Sequence, residues 1–274
     1  LSMLRYLRVG LGARELFSNW LSVGLIYMFH KVGLVSDRPV KLRLRSGSCV
    51  VDASLGWFGR VINAYYDGLV RGVHCDDCGK PFVDFMGVKF RDVFRSMVEV
   101  FVDEEWGFLS VNGRTVIDVG AFVGDSSIYF ALRGAKRVIA VEPHPKAFLE
   151  LLDNIRLNNL INVIIPINVA VGNQVQMDVP LNVSLDDVID KIYEDKKSLR
   201  FQPSNVARIK VISLTELLKI INVRPDVLKL DCEGCEYDVI NDPSISLFNE
   251  LAIECHPYIT GRSLRDCVDG LKDF

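Results

Sequence analysis

Short apolar runs alternate with helical patterns from Thr115 onward, whereas residues 1–110 lack this rhythm. The apolar runs are nearly continuous, which is typical of strands buried on both faces of a parallel sheet. The predicted strands cover residues 115–121, 137–141, 163–171, 175–179, 206–212, 227–231 and 251–256. The predicted helices cover residues 125–133, 145–158, 185–194, 213–221 and 263–271. This alternation, with right-handed crossovers, predicts an α/β fold with a doubly wound, mostly parallel sheet.

The onset of the alternating pattern predicts a domain boundary. We expect a helical and mixed extension over residues 1–110 and a cofactor-binding domain over residues 111–274. The 17 residues that follow Pro257 suffice for one helix and for no further strand. We therefore expect either that C-terminal strands are missing or that the last strand is an edge covered by another segment.

An uncharged apolar stretch, residues 16–29, lies near the start of the chain. It is too short to span a bilayer, which needs about 20 apolar residues. One interpretation is an interfacial helix that rests on a membrane or a partner, because basic residues flank it. The favoured interpretation is a buried helix that packs on the catalytic domain.

Composition excludes some functions. The chain has 274 residues, a formal net charge of −3 and a pI near 5.9, so it lacks the basic footprint of a nucleic-acid-binding protein. No secretion signal precedes the first predicted elements, so an intracellular, cytoplasmic location is expected. Nothing in the sequence sets the oligomeric state.

A glycine-rich turn follows the first strand of the alternating region and points to a nucleotide-type cofactor. Asp118, Gly120 and Gly124 lie at this turn, and Glu142 ends the next strand, where a carboxylate can hold a ribose diol. A dinucleotide turn needs a second glycine so that the backbone can approach the pyrophosphate, but Phe122 occupies that position. The acid before the glycine also suits a cationic ligand, so the pattern favours S-adenosylmethionine over a nicotinamide dinucleotide.

Charged residues end two predicted strands in which apolar residues are expected. Lys229, Asp231 and Glu233 follow one face of the first strand, and Glu254 and His256 follow one face of the second. Unpaired charges at such positions are costly, and open sheets of this type bind ligands at these strand ends. We expect Lys229 to pair with Asp231 or with the acid of the glycine turn. We expect Glu233, Glu254 or His256 to accept a substrate proton. A structural ion-pair network is the alternative, and the set is not complete enough to predict a metal.

Two C-x-x-C pairs offer a rival chemistry. Cys75 with Cys78 and Cys232 with Cys235 could in principle supply the four ligands of a zinc site. Their wide separation in the sequence makes zinc the minor interpretation. We expect Cys232 and Cys235 to be small buried fillers. Cys75 and Cys78 remain open between a local disulfide, a metal half-site and two loop thiols.

Five segments together resemble the FkbM-type methyltransferases, over roughly residues 95–257. The segments are Asp118-x-Gly120-Ala121-x-x-Gly124-Asp125, Glu142-Pro143-x-Pro145, Asn154 with Asn158, Asn168-Val169-Ala170-Val171-Gly172, and Lys229-x-Asp231-x-Glu233-Gly234-x-Glu236. The resemblance implies a Rossmann-like class I methyltransferase fold that uses S-adenosylmethionine. Family members often carry Asn where this chain has Phe122.

By this resemblance, the cofactor's amino-acid end lies on Asp118, Gly120 and Gly124, its ribose on Glu142, and its adenine near Asn168 and Ala170. Three neighbours on the same turn complete the predicted cofactor site: Ala121, Asp125 and Ser126. The predicted catalytic residues are Lys229, Asp231, Glu233, Glu254 and His256.

These observations predict O-methylation of a hydroxyl on a sugar, glycan or related small molecule. A cofactor-binding or partner-docking protein that has lost catalysis is the alternative, and a nicotinamide-dependent oxidoreductase is a third hypothesis.

Overall fold

The computed structural model describes residues 10–47, 49–174, 176–181, 185, 206–272 and 274. The chain forms two compact units, Leu1–Arg95 and Ser96–Phe274. The division falls before the 110/111 boundary expected from the sequence, so residues 96–110 group with the second unit. Within the described residues, no helix is long and apolar enough to cross a membrane.

The first unit combines helices with short antiparallel strands. Its helices are α1 (Trp20–Lys31) and α2 (Leu55–Tyr66), and α3 (Arg95–Phe101) begins at its end. Strands β1 (Val40–Arg43) and β2 (Val50–Ala53) pair with each other, and a second sheet has the order β3 (Val70–Cys75), β4 (Pro81–Phe85), β5 (Val88–Phe90). The hydroxyl of Ser54 caps α2 by accepting a hydrogen bond from the Trp57 N–H.

The burial expected for the apolar stretch 16–29 is only partly present. Helix α1 buries Val23 and Tyr27. Leu21 is 62% exposed and Leu25 is 51% exposed. Within its own unit α1 is therefore buried along one side only, and its packing on the catalytic domain stays a prediction.

The second unit is built on a five-stranded parallel sheet, which confirms the predicted fold class. In chain order its strands are β6 (Thr115–Val119), β7 (Arg137–Val141), β8 (Ile164–Ile167), β9 (Ala170–Val171), β10 (Gln176–Pro180), β11 (Val206–Ile212), β12 (Val227–Leu230) and β13 (Glu250–Ile253). Its helices are α4 (Asp125–Leu132), α5 (Pro145–Leu157), α6 (Leu214–Ile221), α7 (Glu236–Val239), α8 (Pro257–Thr260) and α9 (Leu264–Asp269). The main sheet has the order β13-β12-β6-β7-β8, and a smaller sheet has the order β10-β11-β9.

The strand order places the switch point of the doubly wound sheet beside β6. The chain moves outward from β6 to β7 and β8, and later returns to β12 on the other side of β6. Ligands of such sheets bind at the carboxyl ends of the strands next to this point. Apolar side chains of β6, β7 and β12 fill the core below it, among them Ile117, Ile139 and Leu228.

The prediction of one strand over residues 163–171 is wrong. The chain leaves the main sheet after Ile167, and Ala170 and Val171 pair instead with β11 of the small sheet. At this break the side-chain amide of Asn168 donates to the carbonyls of Glu142 (2.8 Å) and Pro143 (3.1 Å). The helix expected over 185–194 lies outside the described residues apart from Leu185.

Candidate active site

The turn after β6 brings two strand ends together. Gly120 has a φ of 83°, and a Cβ atom at this position would lie 1.7 Å from the carbonyl oxygen of Asp231. Gly124 has a φ of 91° and ends the turn at the start of α4. A side chain at position 120 would push β12 away, so the glycine is needed for the close approach.

Asp118 is fully buried beneath this turn. One carboxylate oxygen accepts hydrogen bonds from the hydroxyls of Ser126 (2.7 Å) and Ser127 (2.5 Å), and the other lies 3.2 Å from the Lys229 Nζ. Asp118 and Ser126 therefore connect the start of α4 to the end of β6. Their contacts with a cofactor stay predictions.

Lys229 links the glycine turn to the second strand end. Its ammonium donates to the Gly120 carbonyl (2.9 Å), lies 3.5 Å from Asp231, and sits 5.4 Å from the ring centre of Trp106. Burial lowers its pKa, but the Asp118 and Asp231 carboxylates raise the pKa above its ordinary value, so the group stays charged. Lys229 therefore links the glycine turn to the end of β12, and its predicted catalytic role stays a prediction.

Glu142 lies at the end of β7, beside the same turn. Its carboxylate accepts hydrogen bonds from the N–H of Phe122 (2.8 Å) and of His144 (2.7 Å). Burial raises its pKa to about 7, although these two hydrogen bonds act in the opposite direction. Its contact with a ribose stays a prediction.

The remaining predicted cofactor residues lie around this turn. Ala121 and Asp125 are buried, and burial raises the pKa of Asp125. Asn168 uses its amide to bridge the end of β7, and Ala170 is buried in the small sheet. Their contacts with a cofactor stay predictions.

A second cluster gathers around His256, at the carboxyl ends of β12 and β13. The imidazole is 4% exposed. Its Nε2 atom lies 3.4 Å from Glu233, 3.7 Å from Glu254 and 3.9 Å from Asp231. The structure thus brings together the polar residues that the sequence places at the two strand ends.

Glu236 organises this cluster. It is fully buried, and its carboxylate accepts hydrogen bonds from the N–H groups of Cys232 (2.9 Å) and Gly234 (2.8 Å). It also lies 3.0 Å from the Nδ1 atom of His256. Glu236 belongs to the motif that resembles the FkbM-type methyltransferases, but the sequence analysis assigns it no role. Its position two residues after Gly234, at the start of a helix, is the feature of the sequence that indicates one.

The cluster is crowded with negative charge. Burial raises the pKa of Glu233 to about 7, and neighbouring acids add to the shift. Burial and Asp231 also raise the pKa of Glu254. Burial lowers the pKa of His256, yet its bond to Glu236 and the nearby carboxylates raise it to about 9. Glu233 itself adopts a left-handed backbone, with a φ of 56°, which is uncommon outside glycine and concentrates at functional sites.

Two further residues of the site, Glu105 and Trp106, are not among those predicted from the sequence. The pKa of Glu105 is raised to about 7, by burial and then by Glu254 and Asp231, and Trp106 lies against Lys229. Both precede the alternating pattern, so no periodicity pointed to them.

The cysteine predictions need correction. Cys49 pairs with Cys75, Cys232 with Cys235, and Cys255 with Cys267, while Cys78 is free and exposed. Cys232 and Cys235 are therefore not simple fillers, and Cys75 forms no local disulfide with Cys78. Because three of the four candidate zinc ligands are in disulfides, the predicted minor zinc site is not formed.

A doubly wound parallel sheet with a glycine turn and acidic strand ends defines a protein of the nucleotide-cofactor type. The FkbM methyltransferase domain matches residues 118–263, which is more than half of the chain. The chain therefore belongs to the FkbM methyltransferase domain family. Membership confirms the predicted methyltransferase class and, with it, S-adenosylmethionine as the cofactor.

Solved structures similar to this chain include three proteins from Methanocaldococcus jannaschii. Trm5 in complex with adenosine is 26% identical over 36% of this chain and 29% of its own, with a TM-score of 0.26. A tRNA m1G37 methyltransferase is 24% identical over 45% of this chain and 39% of its own, with a TM-score of 0.26. TYW2 in complex with S-adenosylmethionine is 17% identical over 52% of this chain and 83% of its own, also with a TM-score of 0.26.

The chain spans less than two thirds of the length of the first two of these proteins. At these TM-scores the family match, and not the structural similarity, identifies the chain. No curated protein matches it.

Proposed function

We propose that the chain is an S-adenosylmethionine-dependent O-methyltransferase that acts on a hydroxyl of a sugar, glycan or related small molecule. The observation that carries the proposal is the cluster around His256, which lies at the strand ends next to the glycine turn. When bound, S-adenosylmethionine supplies an electrophilic methyl group on a sulfonium. The acid-rich edge fits such a cation, since Asp231, Glu233 and Glu254 outnumber the cations that face them.

The same acidity supports a neutral or cationic acceptor. A nucleic acid brings a phosphate backbone that proteins bind with Lys and Arg. Here Lys229 is buried and already occupied by Asp118 and Asp231. A small-molecule hydroxyl does not meet this repulsion, so we propose it over RNA.

Glu254 is the proposed proton acceptor. Its side chain is 47% exposed, the most of the carboxylates that face His256, so an incoming hydroxyl can reach it. His256 already carries a proton at neutral pH, because its pKa is raised to about 9. A general base contributes about 10²- to 10⁴-fold to a rate. Glu254 takes the hydroxyl proton while His256, held by Glu236, stabilises the charge that remains.

Parallel titrations test the cofactor. We expect the purified protein to bind S-adenosylmethionine and S-adenosylhomocysteine and not NAD, and Asp118→Ala and Glu142→Ala to lose this binding. Asp118→Ala removes the contacts with Ser126, Ser127 and Lys229 that hold the glycine turn in place. Binding of NAD alone would overturn the proposal.

A methyl-transfer screen with glycan and small-molecule acceptors tests the chemistry. Glu254→Gln should bind the cofactor normally and lose at least about 100-fold in turnover. Glu216→Gln is the matched control, because this glutamate lies on α6 in an exposed pair with Lys210. Normal cofactor binding without transfer to any acceptor would favour the alternative, a protein that has lost catalysis.

The cellular location is a separate proposal. A cytoplasmic location stays a prediction from the sequence. Three disulfides favour an oxidising compartment, because disulfides persist there and are rare in the cytosol. Fractionation of the native cells, with the protein located by antibody, distinguishes the two.

A further inference from the structure

We propose that Asp231, Glu233 and His256 form a binding site for one divalent cation of the Mn²⁺ class. Cation binding itself does not depend on the proposed function. The role that we give the cation, holding the acceptor oxygen beside the methyl donor, does rest on it. The ion binds the neutral imidazole, so it displaces the proton of His256 and takes over the charge stabilisation that the protonated imidazole provides without it.

The spacing of the three ligand atoms fits a metal ion. The Nε2 atom of His256 lies 3.4 Å from a Glu233 oxygen and 3.9 Å from an Asp231 oxygen, and all three atoms lie within 4.8 Å of one another. A cation about 2.1 Å from each ligand in an octahedron places neighbouring ligands about 3 Å apart and opposite ligands about 4.2 Å apart. The two distances from Nε2, 3.4 Å and 3.9 Å, lie between these values.

The buried imidazole provides an observation independent of the acidic groups. Its Nδ1 atom is held by Glu236 at 3.0 Å, whereas its Nε2 atom makes no hydrogen bond to any residue that the structure describes. Nε2 therefore points into the group of carboxylates. Metal-binding histidines almost always engage their other ring nitrogen in this way, and a carboxylate is a frequent partner.

Two disulfides hold the ligands in place. Cys232–Cys235 encloses Glu233 within its loop, and Cys255–Cys267 is anchored at the residue before His256. Metal sites need supporting contacts of this kind to keep the ligand geometry within a fraction of an ångström. Because these sulfurs are bonded to each other, they do not compete for the ion.

The ligand set selects the class of metal. Two carboxylates suit Mg²⁺ and Mn²⁺, and the imidazole nitrogen shifts the preference toward first-row metals. Mn²⁺ accommodates both. It also has little affinity for thiolates, so a Mn²⁺ signal reports on the carboxylates and the imidazole even where some cysteines are reduced.

Mn²⁺ titration of the full chain, followed by electron paramagnetic resonance without reductant, tests the site. We expect one equivalent of bound Mn²⁺ whose pulsed spectrum shows coupling to a ¹⁴N nucleus. Asp231→Asn and Glu233→Gln should weaken binding at least tenfold, and His256→Gln should also abolish the nitrogen coupling. The control Glu216→Gln should bind as the wild type does.

Folding of each variant is checked by its melting temperature. Glu236→Gln provides a second route, since it leaves all three ligands in the chain and should weaken binding about 10- to 100-fold by releasing the imidazole. No bound Mn²⁺ in the wild type, or bound Mn²⁺ without nitrogen coupling, would overturn the cation site.

The proposed function is tested separately, by S-adenosylmethionine binding in the presence of a chelator. Cofactor binding without Mn²⁺ binding would contradict the cation site and support the methyltransferase. Mn²⁺ binding without cofactor binding would contradict the methyltransferase and support the cation site.

Discussion

Gly120 is the residue whose identity the geometry of the site requires most directly. Its φ of 83° and the carbonyl of Asp231 both exclude a side chain. We expect Gly120→Ala to lower the free energy of unfolding by more than the roughly 1–2 kcal/mol that left-handed backbone alone costs. It should also abolish cofactor binding, since the turn and β12 must separate. Urea unfolding and calorimetric titration measure the two effects.

Gly113→Ala is the matched control. Gly113 has a similar φ of 71°, but nothing lies within 4 Å of an added Cβ atom. This variant should lose only about 1–2 kcal/mol and should bind the cofactor normally. Equal losses at both positions would show that the contact with Asp231 does not matter.

The buried carboxylate of Glu142 makes stability depend on pH. Burial raises its pKa from 4.5 to about 7 in the folded protein. The protonated form therefore favours the fold, and its contribution is complete below pH 4.5 and is lost as the pH rises through 7. The Glu142→Gln variant, which cannot ionise, should lose less stability than the wild type between pH 5 and 8, by up to about 3 kcal/mol. Melting temperatures of both proteins across this range provide the measurement, and parallel curves would contradict it.

At the scale of elements, the sequence predicts the strands of both sheets, except that the run 163–171 divides between them. The bounds of β7 and β11 match the predicted strands 137–141 and 206–212. The run over 163–171 looks equally continuous. At its break Asn168 reaches two carbonyls that are distant in the sequence, and no local pattern encodes that contact.

Some residues of the site could be predicted from the sequence and others could not. Charges inside apolar strands are visible in the sequence, so Lys229 and Asp231 could be predicted. The roles of Glu105 and Trp106 could not, since they arise from tertiary contacts of a segment without periodicity.

Lys229 is the main polar link between β6 and β12. The two strands pair in register, with Lys229 opposite Asp118. Replacing this lysine leaves a buried carboxylate without its counter-ion, which typically costs about 3–5 kcal/mol. We therefore expect Lys229→Met to be destabilised by that amount in urea unfolding.

Lys210→Met provides the comparison for this prediction. Lys210 forms an exposed ion pair with Glu216, and such pairs contribute about 0–1 kcal/mol. If both variants lost the same small amount, the link between the strands would not be a significant source of stability.

At the scale of the whole molecule, the pairing of six cysteines sets the covalent framework. We expect alkylation of the unfolded, unreduced protein to label Cys78 alone, and alkylation after reduction to label all seven cysteines. Reduction should also lower the melting temperature, because each disulfide typically contributes about 2–4 kcal/mol. Peptide mass spectrometry identifies the labelled positions. Labelling of Cys49 or Cys255 without reduction would contradict the pairing.

The exposed apolar face of α1 also belongs to this scale. Leu21 and Leu25 remain on the surface of their unit, beside the exposed Phe29. The membrane or partner contact expected for residues 16–29 stays a prediction.

The Cys255–Cys267 bond closes a covalent ring that begins one residue before His256. Arg262 and Arg265 lie inside this ring, and both side chains are more than half exposed. A single tryptic cut after either arginine therefore releases no fragment. The protein cut once gains one molecule of water, and the Cys255–Cys267 disulfide still joins the segments on the two sides of the cut. The two pieces separate only when a reductant is added.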